Sequence, residues 1–246
     1  MTRDLFRAGD LFLRRGGASA ELPPGQREIS TYPRYGSGAI ASDPVTPRSP
    51  SIEVSGVGIE TAWLDAASLS RLPRREIVAD FHCVAGWSAR DLRWEGVLLR
   101  DLYEMLEPAG DATHLRACGW DGFRAVLVLE DALGEDVLIA DRLDGDPLPG
   151  EHGGPWRLVS ASQYGYKSVK HLCRIELHSR EPSDRHMRCI PGLALRTLAQ
   201  HPRGRVWQEE RHRHVPAQSV RWAYRSLAHP VAYTLSYLGA LRTRRR

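Results

Sequence analysis

The chain has 246 residues, enough for one ordinary domain with appendages and ample to bury a core. Hydrophobic residues make up 42% and charged residues 26%, which excludes a disordered chain, and no apolar run approaches the roughly 20 residues a spanning helix needs. The net charge of +4 hides a split: residues 201–246 hold ten arginines against Glu209 and Glu210, so the preceding two hundred carry −4 and are no platform for nucleic acid.

Residues 1–50 are rich in Gly, Pro, Ser and Arg without sustained periodicity and read as an extended N-terminal arm lying over a domain. Arg14-Arg15 is followed by Gly16-Gly17-Ala18-Ser19-Ala20 instead of the apolar run of an export signal. Cys83, Cys118, Cys173 and Cys189 form no CxxC pair and no zinc spacing, which suits a reducing compartment, so cytoplasmic residence is expected.

From Ser51 onward, alternating runs predict strands over Ile52–Val57, Glu76–His82, His114–Trp120 and Arg124–Leu129, then Val137–Leu143, Arg157–Ala161 and Cys173–His178. After Gly96, the spacing of Val97, Leu98, Leu102, Met105 and Leu106 predicts a helix, with shorter helical pieces over Leu64–Leu72 and Tyr166–Leu172. Asp144-Gly145-Asp146-Pro147 is a turn signal. The order is mixed and not a regular βαβ series, which makes the fold class α+β. Residues 51–182 are the expected main domain. Residues 183–246 are a basic C-terminal extension packing on it, with one or two helices over Val220–Leu241 and a cationic end, Arg242-Thr243-Arg244-Arg245-Arg246, suited to a solvated face or a membrane surface.

Three segments carry candidate chemistry. Phe81-His82-Cys83-Val84-Ala85-Gly86-Trp87-Ser88 puts a cysteine at a strand end before a turn. A thiolate there suits a soft or cofactor-bound metal whose other ligands come from the cofactor; the alternative is a small buried hydrophobe. Tyr164-Gly165-Tyr166-Lys167-Ser168-Val169-Lys170 contains the only two lysines among 34 basic residues. Compact ammonium groups beside a serine hydroxyl suit a phosphate, and a solvated helix start is the other reading. Glu151-His152-Gly153-Gly154-Pro155-Trp156-Arg157 offers glycines for close backbone approach and a planar guanidinium. His212-Arg213-His214 reads as a solvated face.

Together with Trp94-Glu95-Gly96-Val97 opening a helix and Asp121-Gly122-Phe123, these segments resemble, in order and spacing, the molybdopterin-binding domain of the sulfite oxidase family. The similarity is to its branch of short, haem-free proteins, which includes the catalytic subunit of protein-methionine-sulfoxide reductase, and it runs from about Ser51 to His178. The resemblance implies that Cys83 is the thiolate ligand of molybdenum. It implies that Arg157 and the run Ser168, Val169, Lys170 hold the terminal phosphate of molybdopterin, with His152 at a position where sulfoxide-reductase-type relatives carry asparagine, a residue this chain lacks altogether. His82 would tune the ligand or line the substrate pocket, and Tyr35 would reach the pterin from the arm. Cys83 lacks the Asn-Arg-Arg segment that follows it in true sulfite oxidases.

The function this implies is two-electron oxygen-atom transfer on a small S- or N-oxide or oxyanion, with an external electron donor or acceptor protein. Two other readings stand beside it: a non-catalytic protein that uses its basic tail to bind an acidic partner or membrane surface, and a carrier that stores or delivers the pterin.

Overall fold

The computed structural model describes residues 21–29, 32, 44, 46–183 and 200–223. Its strands in chain order are β1 (Arg27–Glu28), β2 (Ile52–Gly56), β3 (Ala62–Leu64), β4 (Arg74–His82), β5 (Trp87–Leu98) and β6 (His114–Gly119). They continue with β7 (Arg124–Val128), β8 (Val137–Leu143), β9 (Asp146–Pro147), β10 (Arg157–Ser160) and β11 (Leu172–His178). Helices are short: α1 (Ala66–Leu69), α2 (Leu99–Met105), α3 (Leu129–Ala132) and α4 (Ala217–Ala223). None of the described helices is long and apolar enough to cross a membrane.

Two mixed sheets result. The first runs β1-β5-β8-β10, with β4 on β5 and β9 on β8; the second runs β3-β2-β11-β6-β7. In the second sheet β11 lies parallel to β2 and antiparallel to β6, which places the late strand in the centre. The α+β class holds.

Alternation decides what each face buries. Val97, Val137, Ile139 and Leu158 of the first sheet meet Ile52, Val54, Leu115, Ala117, Leu127, Ile175 and Leu177 of the second in one core. The intervening residues Leu98, Leu138, Ala140 and Val159 face the other way and join Ile77, Phe81, Cys83, Trp87 and Trp94 in a second core. Both faces of the first sheet are therefore buried, which is why β8 opens on the unbroken apolar run Val137-Leu138-Ile139-Ala140 and all four residues of β10 are buried.

Two expectations need correction. Trp94-Glu95-Gly96-Val97 does not open a helix but lies inside β5, where a register shift falls between Glu95 and Gly96. A Cβ at Gly96 would stand 2.1 Å from the Ile139 carbonyl oxygen, so the glycine serves close strand approach, and α2 starts three residues later at Leu99. Tyr166–Leu172 forms turns and not a helix: Lys167 N–H and Ser168 N–H close back on the Tyr164 and Gly165 carbonyls, and β11 already begins at Leu172. The expected turn after β8 does form, with Asp144 (φ +53°) and Gly145 (φ +88°) linking β8 to β9.

The described part of the C-terminal extension docks on the 162–167 loop. Tyr164 N–H donates to Gly204 O at 2.8 Å, Val206 N–H to Ser162 O at 3.1 Å and Tyr166 Oη to Glu210 O at 3.0 Å. His212 is buried and bridges to Gln200, contrary to the solvated face expected of it. Most of the expected helices over Val220–Leu241, and the whole Arg242–Arg246 end, lie outside the described residues.

Candidate functional site

The site is built around the hairpin turn between β4 and β5. Cys83 opens it, with Cys83 N–H donating to Trp87 O at 2.8 Å, Gly86 N–H returning to Cys83 O at 3.0 Å, and Gly86 at φ +90° making the reversal possible. The thiol is 4% exposed and receives the Ala85 N–H at 3.5 Å. Burial pushes it up to about 12, against the pull of the Ala85 N–H and the Arg211 guanidinium. A thiol held in this way is inert as a free nucleophile near neutrality, yet its sulfur suits a soft metal that displaces the proton.

Segments distant in sequence close over this turn. Gln26 Nε2 donates to Cys83 O at 3.2 Å, and Ser88 Oγ donates to Gln26 Oε1 at 3.2 Å. His82 Nδ1 lies 2.8 Å from Ser88 Oγ. Because the serine proton is committed to Gln26, Nδ1 carries the histidine proton and Nε2 keeps its lone pair. Burial, then the Arg90 charge, hold His82 well below its ordinary range, at about 4. From the other end of the chain Arg211, 1% exposed, donates to Val84 O at 2.6 Å and Pro24 O at 3.2 Å while its guanidinium stands 4.9 Å over the Tyr164 ring.

A second cluster adjoins the first. The Arg157 guanidinium on β10 lies 4.9 Å from the Phe81 ring, 5.5 Å from Trp94 and 5.8 Å from Tyr32. It donates to His152 O at 3.0 Å, and its buried Nε makes no hydrogen bond among the described residues. Tyr32 stacks on the His152 ring at 4.5 Å and 9°. Burial raises the Tyr32 phenol to about 12, Arg157 opposes that by charge and hydrogen bond, and Cys83 adds to it. Cys83, Arg157 and His152 thus converge on one arm residue, Tyr32; Tyr35, expected in that role, lies outside the described residues.

The run Ser168, Val169, Lys170 borders this cluster. Lys170 Nζ donates to Glu151 O at 2.7 Å, so Arg157 and Lys170 grip adjacent carbonyls of the 3₁₀ turn Gly150–His152. Gly153, at φ +104°, lies against Lys170, and a Cβ there would sit 2.8 Å from Lys170 Cα. Ser168 Oγ accepts the Ser160 N–H at 3.1 Å, and Val169 is buried between the sheets with its carbonyl accepting Leu158 N–H at 2.9 Å. The other lysine behaves differently from expectation: the Lys167 ammonium is buried between the carbonyls of Val126 and Pro202, holding the C-terminal extension.

No group of three or more His, Cys, Asp or Glu among the described residues could hold a metal ion. A metal at Cys83 would therefore take one protein sulfur and draw its other ligands from a cofactor. The surrounding donor set fits an anionic cofactor: a buried Arg157 Nε with no acceptor, and a glycine-shaped backbone beside a lysine. Sequence reasoning missed Gln26, Tyr32 and Arg211; Gln26 sits in a Pro-Gly turn and Arg211 among ten arginines, so neither stood out.

Comparisons with known proteins agree with this chemistry. The family model described as the oxidoreductase molybdopterin binding domain matches residues 40–187. The uncharacterized oxidoreductase YuiH of Bacillus subtilis is 31% identical over 199 residues, covering 80% of this chain and 95% of its own. The protein-methionine-sulfoxide reductase catalytic subunit MsrP of Gluconobacter oxydans is 28% identical over 253 residues, covering 89% and 78%. Among solved structures, the sulfane dehydrogenase SoxCD from Paracoccus pantotrophus shares the fold with a TM-score of 0.51 at 19% identity, over 70% of this chain and 52% of that one.

Proposed function

This chain belongs to the sulfite oxidase family of molybdopterin-binding oxidoreductases, and we propose that within it the protein moves an oxygen atom to or from a small S-oxide, N-oxide or oxyanion. Its two electrons are exchanged with a separate partner protein. The family domain binds molybdopterin with molybdenum, and the chain is an enzyme of that class. The observation that carries the finer reading is a buried thiol, Cys83, with the fully buried Arg211 guanidinium beside its turn and with Tyr32 as the neighbour it shares with a second fully buried guanidinium, Arg157.

In this reading Cys83 supplies the thiolate to molybdenum. Arg157, His152 and the run Ser168, Val169, Lys170 hold the pterin's terminal phosphate, with Arg157 Nε and the Lys170 ammonium as the charged donors. When bound, the cofactor supplies the two-electron exchange of oxygen. The chain's own residues do the rest. Ala85 N–H and Arg211 stabilise negative charge on the sulfur, and Gln26 fixes the Cys83 carbonyl so that the sulfur keeps its direction. His82 is committed through Nδ1 to Ser88, so it positions the turn. The aromatic wall of Tyr32, Phe81, Trp87 and Trp94 keeps water from the sulfur. Arginines at the turn favour substrates with an oxygen bearing partial or full negative charge, which S-oxides, N-oxides and oxyanions share.

The test uses protein purified from a pterin-competent host. Molybdenum per chain by elemental mass spectrometry and the fluorescence of released, oxidised pterin are expected near stoichiometry. Methionine sulfoxide, trimethylamine N-oxide and sulfite are then assayed with artificial electron carriers. Cys83→Ser is expected to retain pterin and lose turnover; turnover equal to that of the parent would overturn the ligand assignment.

A further inference from the structure

Two thiols that take no part in that site stand together on the outer face of the second sheet. The β6–β11 ladder pairs Leu172 with Gly119 and Arg174 with Cys118, so Cys173 is the extra residue of a bulge, opposite the step between Cys118 and Gly119. Cys173 Sγ lies 3.4 Å from the Cys118 carbonyl oxygen. The electrostatic neighbours of the two sulfurs overlap: Arg174 acts on both, and Cys118 acts directly on Cys173. Both are free thiols; Cys118 is buried, whereas Cys173 is half-buried. The inward positions of the same strands, Ala117, Ile175 and Leu177, face the core between the sheets, which leaves Cys118, Arg174 and Glu176 on the opposite face.

We propose that Cys118 and Cys173 are a reversible dithiol–disulfide pair, a modification site that exchanges with small-molecule disulfides. Adjacent positions on hydrogen-bonded antiparallel strands lie at the Cα separation a disulfide spans, so closure needs side-chain rotation and little movement of the backbone. Cys173, the more accessible thiol, enters first. Its thiolate attacks one sulfur of the small disulfide, forms a mixed disulfide and releases one small thiol. Cys118 then loses its proton and attacks the Cys173 sulfur, forming the protein S–S bond and releasing the second small thiol. Two protein thiols are oxidised and one small disulfide is reduced to two thiols. Burial raises both thiols, Cys173 to about 11, with Arg116, Arg124 and Arg174 lowering Cys118 and Arg174 lowering Cys173. The exchange is accordingly slow, and the pair responds to a sustained shift in the thiol pool. In the oxidised state β6 is stapled to β11 at the point where Trp120 N–H donates to His171 O, next to Lys170.

The test is a peptide map of the full-length protein equilibrated in glutathione buffers of rising oxidised fraction, then quenched with an alkylating reagent and digested with trypsin. Cleavage after Arg116, Arg124, Lys170 and Arg174 places the two cysteines in separate peptides, 117–124 and 171–174. The expected result is a linked species lighter by two hydrogens than the pair, reversed by dithiothreitol. In Cys118→Ser, Cys173 is expected to accumulate as the glutathione adduct because no resolving thiol remains. If both peptides carry only alkylating reagent or glutathione at every ratio in the parent protein, or if either cysteine is found linked instead to Cys83 or Cys189, the proposal is overturned. Neither result depends on whether the protein carries its cofactor.

Discussion

Replacing Arg211 tests whether the Cys83 turn is held from outside the matched family domain. The Arg211 guanidinium is buried and donates to the carbonyls of Val84 and Pro24 while lying over Tyr164. In Arg211→Gln the shorter amide cannot reach both carbonyls, so at least one buried acceptor loses its charged donor and the ring loses its cation. A hydrogen bond to a charged group is worth about 1.5–3 kcal/mol, and a desolvated cation–π contact about 2 kcal/mol. With partial relaxation, a loss of about 3–5 kcal/mol is expected. For a chain of this size each kcal/mol moves Tm by about 2–4 °C, which gives a fall of about 10 °C by calorimetry. Arg211→Lys is expected to recover less than half of that, because a single ammonium lacks the fork that spans two carbonyls. A Tm within about 2 °C of the parent for Arg211→Gln would refute the clamp.

Three further outcomes follow from the same geometry. Lys167→Met removes the buried ammonium from the Val126 and Pro202 carbonyls. It should cost about 2–4 kcal/mol and speed proteolysis near residue 200, read by gel and mass spectrometry. Gly153→Ala places a methyl 2.8 Å from Lys170 at φ +104°. It should cost about 1–3 kcal/mol in denaturant unfolding and reduce the pterin recovered per chain, whereas unchanged recovery would separate Gly153 from the cofactor cradle. His201 is held below its ordinary range by burial, with the Glu210 carboxylate pulling the other way. Its Nδ1 accepts the Arg203 and Gly204 N–H groups. Since the unfolded chain binds that proton more readily, the contribution of neutral His201 is present above about pH 6.5 and is lost as pH falls through that range. His201→Gln should flatten the decline of Tm between pH 7 and 5, and an unchanged slope would show that His201 does not carry it.

Strands β2, β4, β6, β7, β8, β10 and β11 were legible within about two residues because each has one or both faces buried and so carries a clear apolar pattern. β5 was not, since Gly96 reads as a helix boundary when the partner strand it lets approach is unknown. Tyr166, Val169 and Leu172 mimic helical spacing, yet they do not share one face: Tyr166 Oη turns to the Glu210 carbonyl, whereas Val169 and Leu172 enter the core between the sheets. In the candidate site, Cys83 and Arg157 were legible from a strand end and a glycine-rich approach. Gln26 and Arg211 were not, because they contact the turn across 57 to 127 residues of sequence, and no local pattern encodes such contacts.

Those two residues also bear on what the matched domain can do alone. The family model spans residues 40–187, yet the Cys83 carbonyl is held by Gln26 and the adjacent Val84 carbonyl by Arg211, both outside it. Within the matched domain lie the sulfur, the Phe81, Trp87 and Trp94 rings of the wall, and the Arg157 and Lys170 cations; the flanking segments supply the fourth ring, Tyr32, the contacts that fix the turn's direction and a positive charge beside the sulfur. The sulfur and the two cations thus sit on the sheets and the turns between their strands, inside the matched range. Differences in substrate can follow from the flanks, because a cation carried on an extension can be exchanged without disturbing either core.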